Sequence, residues 1–162
     1  MLASDLTIEM PLLLWARLVR DLGKRGLGRR ESGAFLLGSQ SGARAKIRQY
    51  VCYDDIDPNA YQGGAIMFHA NGYAALWQRC KAAKLDLIAD IHTHPGSNVS
   101  QSGIDRRHPM VPVVGHTAMI MPHFGKTSWW SLSGVGVYEY LGNFTWRTHG
   151  ADTAARVRLT LW

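Results

Sequence analysis

Residues 85–105 read Leu85-Asp86-Leu87-Ile88-Ala89-Asp90-Ile91-His92-Thr93-His94-Pro95-Gly96-Ser97-Asn98-Val99-Ser100-Gln101-Ser102-Gly103-Ile104-Asp105. The short apolar run Leu85 to Ile91, broken only by Asp86 and Asp90, reads as a strand that runs into His92. Residues two apart on a strand project from one face, so His92 and His94 present two imidazoles to one point. Pro95 fixes φ and ends the ladder, Gly96 to Gln101 form a loop, and Ser102-x-x-Asp105 is an N-terminal helix signature. One helical turn brings the Ser102 hydroxyl and the Asp105 carboxylate to the same side. Taken alone, a His-x-His pair reads as surface or hydrogen-bonded histidine, and Ser102 with Asp105 as a capping pair. Together, two neutral imidazoles, one carboxylate and a water make the open four-coordinate arrangement of a catalytic zinc rather than the thiolate-rich one of a structural zinc.

Working upstream, Tyr73, Leu76, Trp77, Cys80 and Ala83 recur at helical spacing. Ser32 to Gly38 and Ala45 to Tyr53, joined at Ser39-Gln40-Ser41-Gly42, read as a hairpin, with Asp54 to Asn59 as the turn that follows. A first helix is expected from Pro11, with apolar Leu14, Trp15, Leu18, Val19 and Leu22, closing at Gly23 or Gly26. Downstream, Thr117 to Met121 reads as a strand, and Val135 to Leu141 with Phe144 to Thr148 as a closing hairpin turned at Gly142-Asn143. Strands intermixed with two helices predict an α/β sandwich around one mixed sheet.

The chain has 162 residues, about one domain's worth, with no repeat, low-complexity tract or charged linker to divide it. At 46% apolar and 19% charged residues it matches globular composition, which excludes disordered, collagen-like and heptad-repeat readings. Cys52 and Cys80 are too few for a disulfide framework and fall on a strand and on a helix's apolar face, so packing explains them. A net charge of +6 favours acidic encounter partners. Nine of the eighteen cations fall within the first 48 residues, Arg17, Arg20 and Lys24 along one helix face, which reads as a solvated face or as a dock for an acidic partner. The amino terminus lacks a basic leader, and Leu12 to Ala16 is far shorter than a membrane span, so a cytoplasmic protein is expected.

The pattern H-x-H-P, six residues, then S-x-x-D resembles, at every fixed position, the signature of the JAMM metallopeptidases, the catalytic branch of the JAB/MPN domain family. Glu31, opening Glu31-Ser32-Gly33-Ala34-Phe35-Leu36-Leu37-Gly38, looks like that family's acidic-plus-glycine strand, and the resemblance covers most of the chain. It implies a single JAB/MPN domain over residues 1–162, a mixed curved β-sheet flanked by helices in a cytidine-deaminase-like α-β-α sandwich. It further implies His92, His94 and Asp105 as zinc ligands, Glu31 as general acid–base and Ser102 as donor to the oxyanion of the tetrahedral intermediate. Zinc lowers the pKa of bound water to about 7 and polarises the carbonyl under attack. The residues alone leave Glu31 open to a second reading, a carboxylate paired with Arg29 or Arg30. His69, His108, His116, His123 and His149 match no position of the family pattern; His108 and His116 stand near enough in sequence to support the ligands from behind, but an ordinary surface or core role is the expectation, and they are left out of the metal set.

The implied reaction is zinc-dependent hydrolysis of the peptide or isopeptide bond after the C-terminal Gly of a ubiquitin-like protein. Such a tail suits strand addition beside a sheet edge, with Phe124 to Trp130 and the segment after the first hairpin as candidate walls. The short chain resembles compact bacterial members, which implies E1-like and E2-like partners in one operon, in some cases for antiphage defence. Two other readings are a RadC-like metal-binding module associated with nucleic acid and a non-catalytic MPN scaffold. Against the first, the basic residues cluster away from the His loop without interleaved aromatics; against the second, all five key residues are present.

Overall fold

The computed structural model describes residues 5–63, 65–150 and 153–162. Its frame is one eight-stranded mixed sheet: β1 (Thr7–Pro11), β2 (Gly33–Ser41), β3 (Arg44–Cys52), β4 (Asp86–Thr93), β5 (Thr117–Met121), β6 (Gly136–Gly142), β7 (Thr145–Thr148) and β8 (Val157–Thr160). In space the strands run β7-β6-β5-β4-β2-β3-β1-β8. β4 lies antiparallel to β2 on one side and parallel to β5 on the other. Irregularities at Leu36/Leu37, Leu37/Gly38 and Tyr140/Gly142 break the ladders, each adding local bend and twist.

Alternation in β2 sorts the core onto two faces. Ala34 and Leu36 join Trp15, Leu18, Val19 and Leu22 of helix α1 (Leu12–Gly26). Phe35 and Leu37 face the other way, onto Leu76 and Cys80 of helix α3 (Ala70–Ala83) and onto Tyr53 of the short helix α2 (Tyr53–Ile56). Each face thus buries the apolar stripe of one long helix, and the α/β expectation with a mixed sheet holds. Both cysteines are buried in these cores, as packing required.

The predicted β2–β3 hairpin, the α3 helix, β4, β5 and the β6–β7 hairpin all form near their expected bounds. Two strands were not foreseen. β1 ends on Pro11, so α1 begins at Leu12, one residue later than expected, and β1 lies between β3 and β8, parallel to both. Both α1 and α3 end on a residue in the left-handed region, Leu27 and Lys84. The charged face of α1 is partly neutralised: Arg25 forms two hydrogen bonds with Asp55 and one with Asp54, and Arg20 pairs with Asp21. Among the described residues no helix is long and apolar enough to cross a membrane.

Candidate metal centre

The site forms where β4 ends. His92 is on the strand, His94 just beyond it, and both side chains are about nine-tenths buried. The chain then loops to the five-residue helix α4 (Gly103–Arg107), whose position Ser102 and Asp105 fix reciprocally. Asp105 N–H donates to Ser102 Oγ at 3.1 Å, and Ser102 N–H donates to Asp105 Oδ2 at 2.7 Å. This capping box satisfies two otherwise orphaned donors and aims the carboxylate back at the histidines. The capping reading and the ligand reading of Asp105 therefore describe one arrangement.

His92 Nε2 and His94 Nε2 stand 3.1 Å apart, His92 Nε2 and Asp105 Oδ1 3.4 Å, and His94 Nε2 and Asp105 Oδ2 3.4 Å. A tetrahedral ion with bonds of about 2.0–2.1 Å to nitrogen and oxygen needs ligand-to-ligand edges of about 3.3–3.4 Å. The three spacings, the last two taken to different oxygens of Asp105, lie near such edges, and one ligand atom from each of His92, His94 and Asp105 falls within 4.8 Å of the others, a group able to hold a metal ion. His94 Nδ1 donates to the Asn98 carbonyl at 3.1 Å, which in the neutral ring leaves Nε2 as a lone pair turned to the other two groups. The donor set, two imidazole nitrogens and a carboxylate with no thiolate, suits zinc and leaves a fourth position open.

Glu31 reaches the same place from the start of β2. Gly33 is opposite His92 in the antiparallel ladder, and continuing that register sets Glu31 opposite His94. Glu31 lines one cavity of about 270 Å³ together with His92, Ser102 and Asp105. Burial raises its carboxyl above the ordinary range, an effect that His92 and His94 oppose and Asp105 reinforces. Burial also pushes the Asp105 carboxyl upward, but hydrogen bonding by His92 and His94 holds it well below the ordinary range. Asp105 in turn raises His94. The alternative pairing of Glu31 with Arg29 or Arg30 is not what forms. Arg30 donates to the Arg25 carbonyl and lies over the Tyr61 ring.

Four of the five predicted site residues, Glu31, His92, Ser102 and Asp105, thus line one cavity, His94 stands against His92 and Asp105 beside it, and His108 lies on the cavity wall as well. His116 supports no ligand: its Nε2 meets Asp90 Oδ2 at 2.7 Å, a buried pair. The aromatic residues on the wall are Trp146 of β7 and Tyr53, whereas Trp129 and Trp130 stack edge to face on each other with more than half of each exposed. The segment after the first hairpin does supply a wall, through Ala65 and Ile66. Sequence reasoning passed over Tyr53, Asp90 and Gln101, which also line the cavity. Only Asp90 had a local signal, a charge on an apolar strand two residues before His92 and hence on the same face.

No family model matches the chain. Its fold is similar to that of a protein from Desulfitobacterium hafniense solved in solution, with a TM-score of 0.62 and 12% identity over 95% of this chain and 93% of that one. A second solution structure, from Salinibacter ruber, gives a TM-score of 0.59 and 12% identity over 93% and 90%. At that identity the likeness is one of fold.

Proposed function

We propose that this chain is a zinc-dependent hydrolase of amide bonds, similar to the JAMM metallopeptidases of the JAB/MPN family. The observation that carries the proposal is the convergence of His92, His94 and Asp105 on one point at the rim of a cavity that Glu31 also lines. Zinc, when bound, supplies Lewis-acid polarisation of the carbonyl and an acidified water. The chain's own residues do the rest. Glu31 takes a proton from the attacking water and returns it to the leaving amine, a role that contributes about 10²–10⁴-fold. Its burial-raised carboxyl suits a group that must both accept and release a proton. The Ser102 oxygen accepts from Asp105 N–H, so its own O–H proton is free to be donated to the oxyanion.

The substrate class follows from the resemblance: a ubiquitin-like protein joined through its C-terminal Gly to a lysine or to a peptide extension. What supports it in the fold is the lining of the cavity: Trp146 of β7, Ile66 and Met110 give an apolar wall beside the metal-directed residues against which a thin glycine tail can lie. A ubiquitin-like protein fused through its terminal Gly to a reporter tests this. Cleavage after that Gly, abolished by chelation, restored by zinc and lost in Glu31→Ala, is the expected result. Cleavage that survives complete zinc removal rules out the mechanism; cleavage at another bond keeps the chemistry and rejects the substrate.

A further inference from the structure

Behind the three metal-directed side chains the cavity holds one more acid. The Asp90 side chain is 3% exposed, yet it lines the cavity. It sits two residues before His92 on the same face of β4, one step deeper along the strand. Its Oδ2 is taken by His116, which is itself buried, while Oδ1 has no partner among the described residues. Asp105 is committed, spanning both imidazoles and accepting from Ser102, and Glu31 is set aside as the proton carrier of the proposed reaction.

The walls around Asp90 are apolar, formed by Ile66, Met110, Ala118 and Ile120. Two further cavity residues carry buried polar atoms without partners, the Tyr53 hydroxyl and Gln101 Oε1. The Tyr53 hydroxyl can donate as well as accept, whereas Gln101 Oε1 and Asp90 Oδ1 only accept, and a buried acceptor left unpaired is costly, so these oxygens define what is missing. The complement is a group with several N–H donors on an apolar stem. Composition points the same way: Glu31, Asp90 and Asp105 put three carboxyl groups on one cavity of a chain whose overall charge is +6. At about 270 Å³ the space is slightly below the usual range of about 300–1,000 Å³ for ligand pockets, a size for one side chain rather than a large ligand.

We infer that the inner cavity is a subsite for a basic side chain of the substrate, of lysine or arginine type, with Asp90, held by His116, as the residue that selects it. That the side chain belongs to a substrate rests on the proposed hydrolase; the unpaired acceptors on the cavity wall do not.

The test uses the full chain with and without one equivalent of zinc, titrated near pH 7 with n-pentylamine, n-pentylguanidine or 1-pentanol and followed by amide chemical shifts. Both bases are protonated there and offer no lone pair to a metal. Both should bind at least about tenfold more tightly than the alcohol, in keeping with a hydrogen bond to a charged group. The tighter of the two separates lysine from arginine. Asp90→Asn keeps an oxygen for His116 and should bring the bases to within about twofold of the alcohol, with melting temperature and zinc stoichiometry unchanged. Bases that bind the wild-type chain no better than 1-pentanol overturn the inference, however the variant folds; so does a preference that survives Asp90→Asn. Zinc stoichiometry on the same samples keeps the two readings apart: base preference without zinc binding sinks only the hydrolase, and zinc binding without base preference sinks only the subsite.

Discussion

Ser32 and Thr93 clasp each other across the β2–β4 junction. Ser32 N–H donates to Thr93 Oγ1 at 3.0 Å, and Thr93 N–H donates to the Ser32 carbonyl at 2.9 Å. Both residues are fully buried, and Ser32 Oγ adds a bond to the Leu22 carbonyl. One neighbour of this clasp is Glu31; the others are His92 and His94. Thr93→Val removes the acceptor and leaves a buried N–H unpaired, at about 1–3 kcal/mol. The metal-directed side chains keep their supports, so zinc affinity should stay within about twofold while turnover falls about tenfold or more as Glu31 drifts. Thr93→Ser should restore both. Calorimetric zinc titration beside steady-state turnover checks the split, and equal losses in the two would refute a positioning role.

The metal centre itself predicts a division among its residues. His92→Ala, His94→Ala and Asp105→Ala should each lose stoichiometric zinc. Glu31→Gln should keep it and lose cleavage by about 10²-fold or more. Metal analysis after dialysis decides the matter; full zinc retention in all three alanine variants would remove the ligand assignment.

Ser102 predicts a mixed effect, because its oxygen caps the helix that carries Asp105. Ser102→Ala costs the cap, about 1 kcal/mol, and with it the aim of the carboxylate. Zinc should therefore bind several-fold more weakly, as well as turnover falling. Ser102→Thr retains the cap and should bind zinc normally.

Gly33 is opposite His92, and a Cβ there would stand 2.4 Å from Tyr53 Cε2 and 2.7 Å from the Ile91 carbonyl oxygen. Neither the fully buried ring nor the ladder can yield cheaply, so Gly33→Ala should cost about 1–3 kcal/mol or more in chemical denaturation. Gly96→Ala, where nothing stands within 4 Å, should be close to neutral.

Acid should weaken the loop that Asp57 holds. Asp57 accepts from the backbone N–H groups of Asn59 and His69 and meets His69 Nδ1 at 2.5 Å. Burial pushes its carboxyl up, but the His69 contacts outweigh burial and leave it below the ordinary range. A carboxyl lowered by folding stabilises the fold above its unfolded pKa of about 3.9, and that contribution is lost as pH falls through the lower folded value. The stability gap between wild type and Asp57→Asn should thus be widest near neutrality and shrink below about pH 4. A gap that widens in acid would contradict this.

The parts of this fold that could be read from the sequence are those set by local spacing. β5 matches its expected bounds, Thr117 to Met121, because five consecutive apolar or β-branched residues are bounded by turn signals. The His92/His94 pair and the Ser102/Asp105 cap were legible because two- and three-residue spacings dictate their geometry. β1 and β8 were not, because short strands in parallel pairing draw their partners from distant parts of the chain. Glu31 came only through resemblance, since no local rule places it beside residues about sixty positions later. Asp90 was visible as an interruption, but its partner His116 lies 26 residues on, beyond any periodicity.

The chains leaving β4 and β5, neighbouring parallel strands, stay tied past the strand ends: Phe124 N–H donates to the His94 carbonyl and His123 N–H to the Gly96 carbonyl, and the 3-10 turn at His123–Gly125 packs against Gly23 and Gly26 of α1. The exit of β4 that carries His94 is thus braced by its neighbour before the chain runs on to α4. The chemistry is anchored to the strand ends, whereas much of the lining comes from separate connecting segments around Ile66, Met110 and Trp146. Those segments are free to diverge in evolution, retuning which substrates are admitted without disturbing the anchored groups.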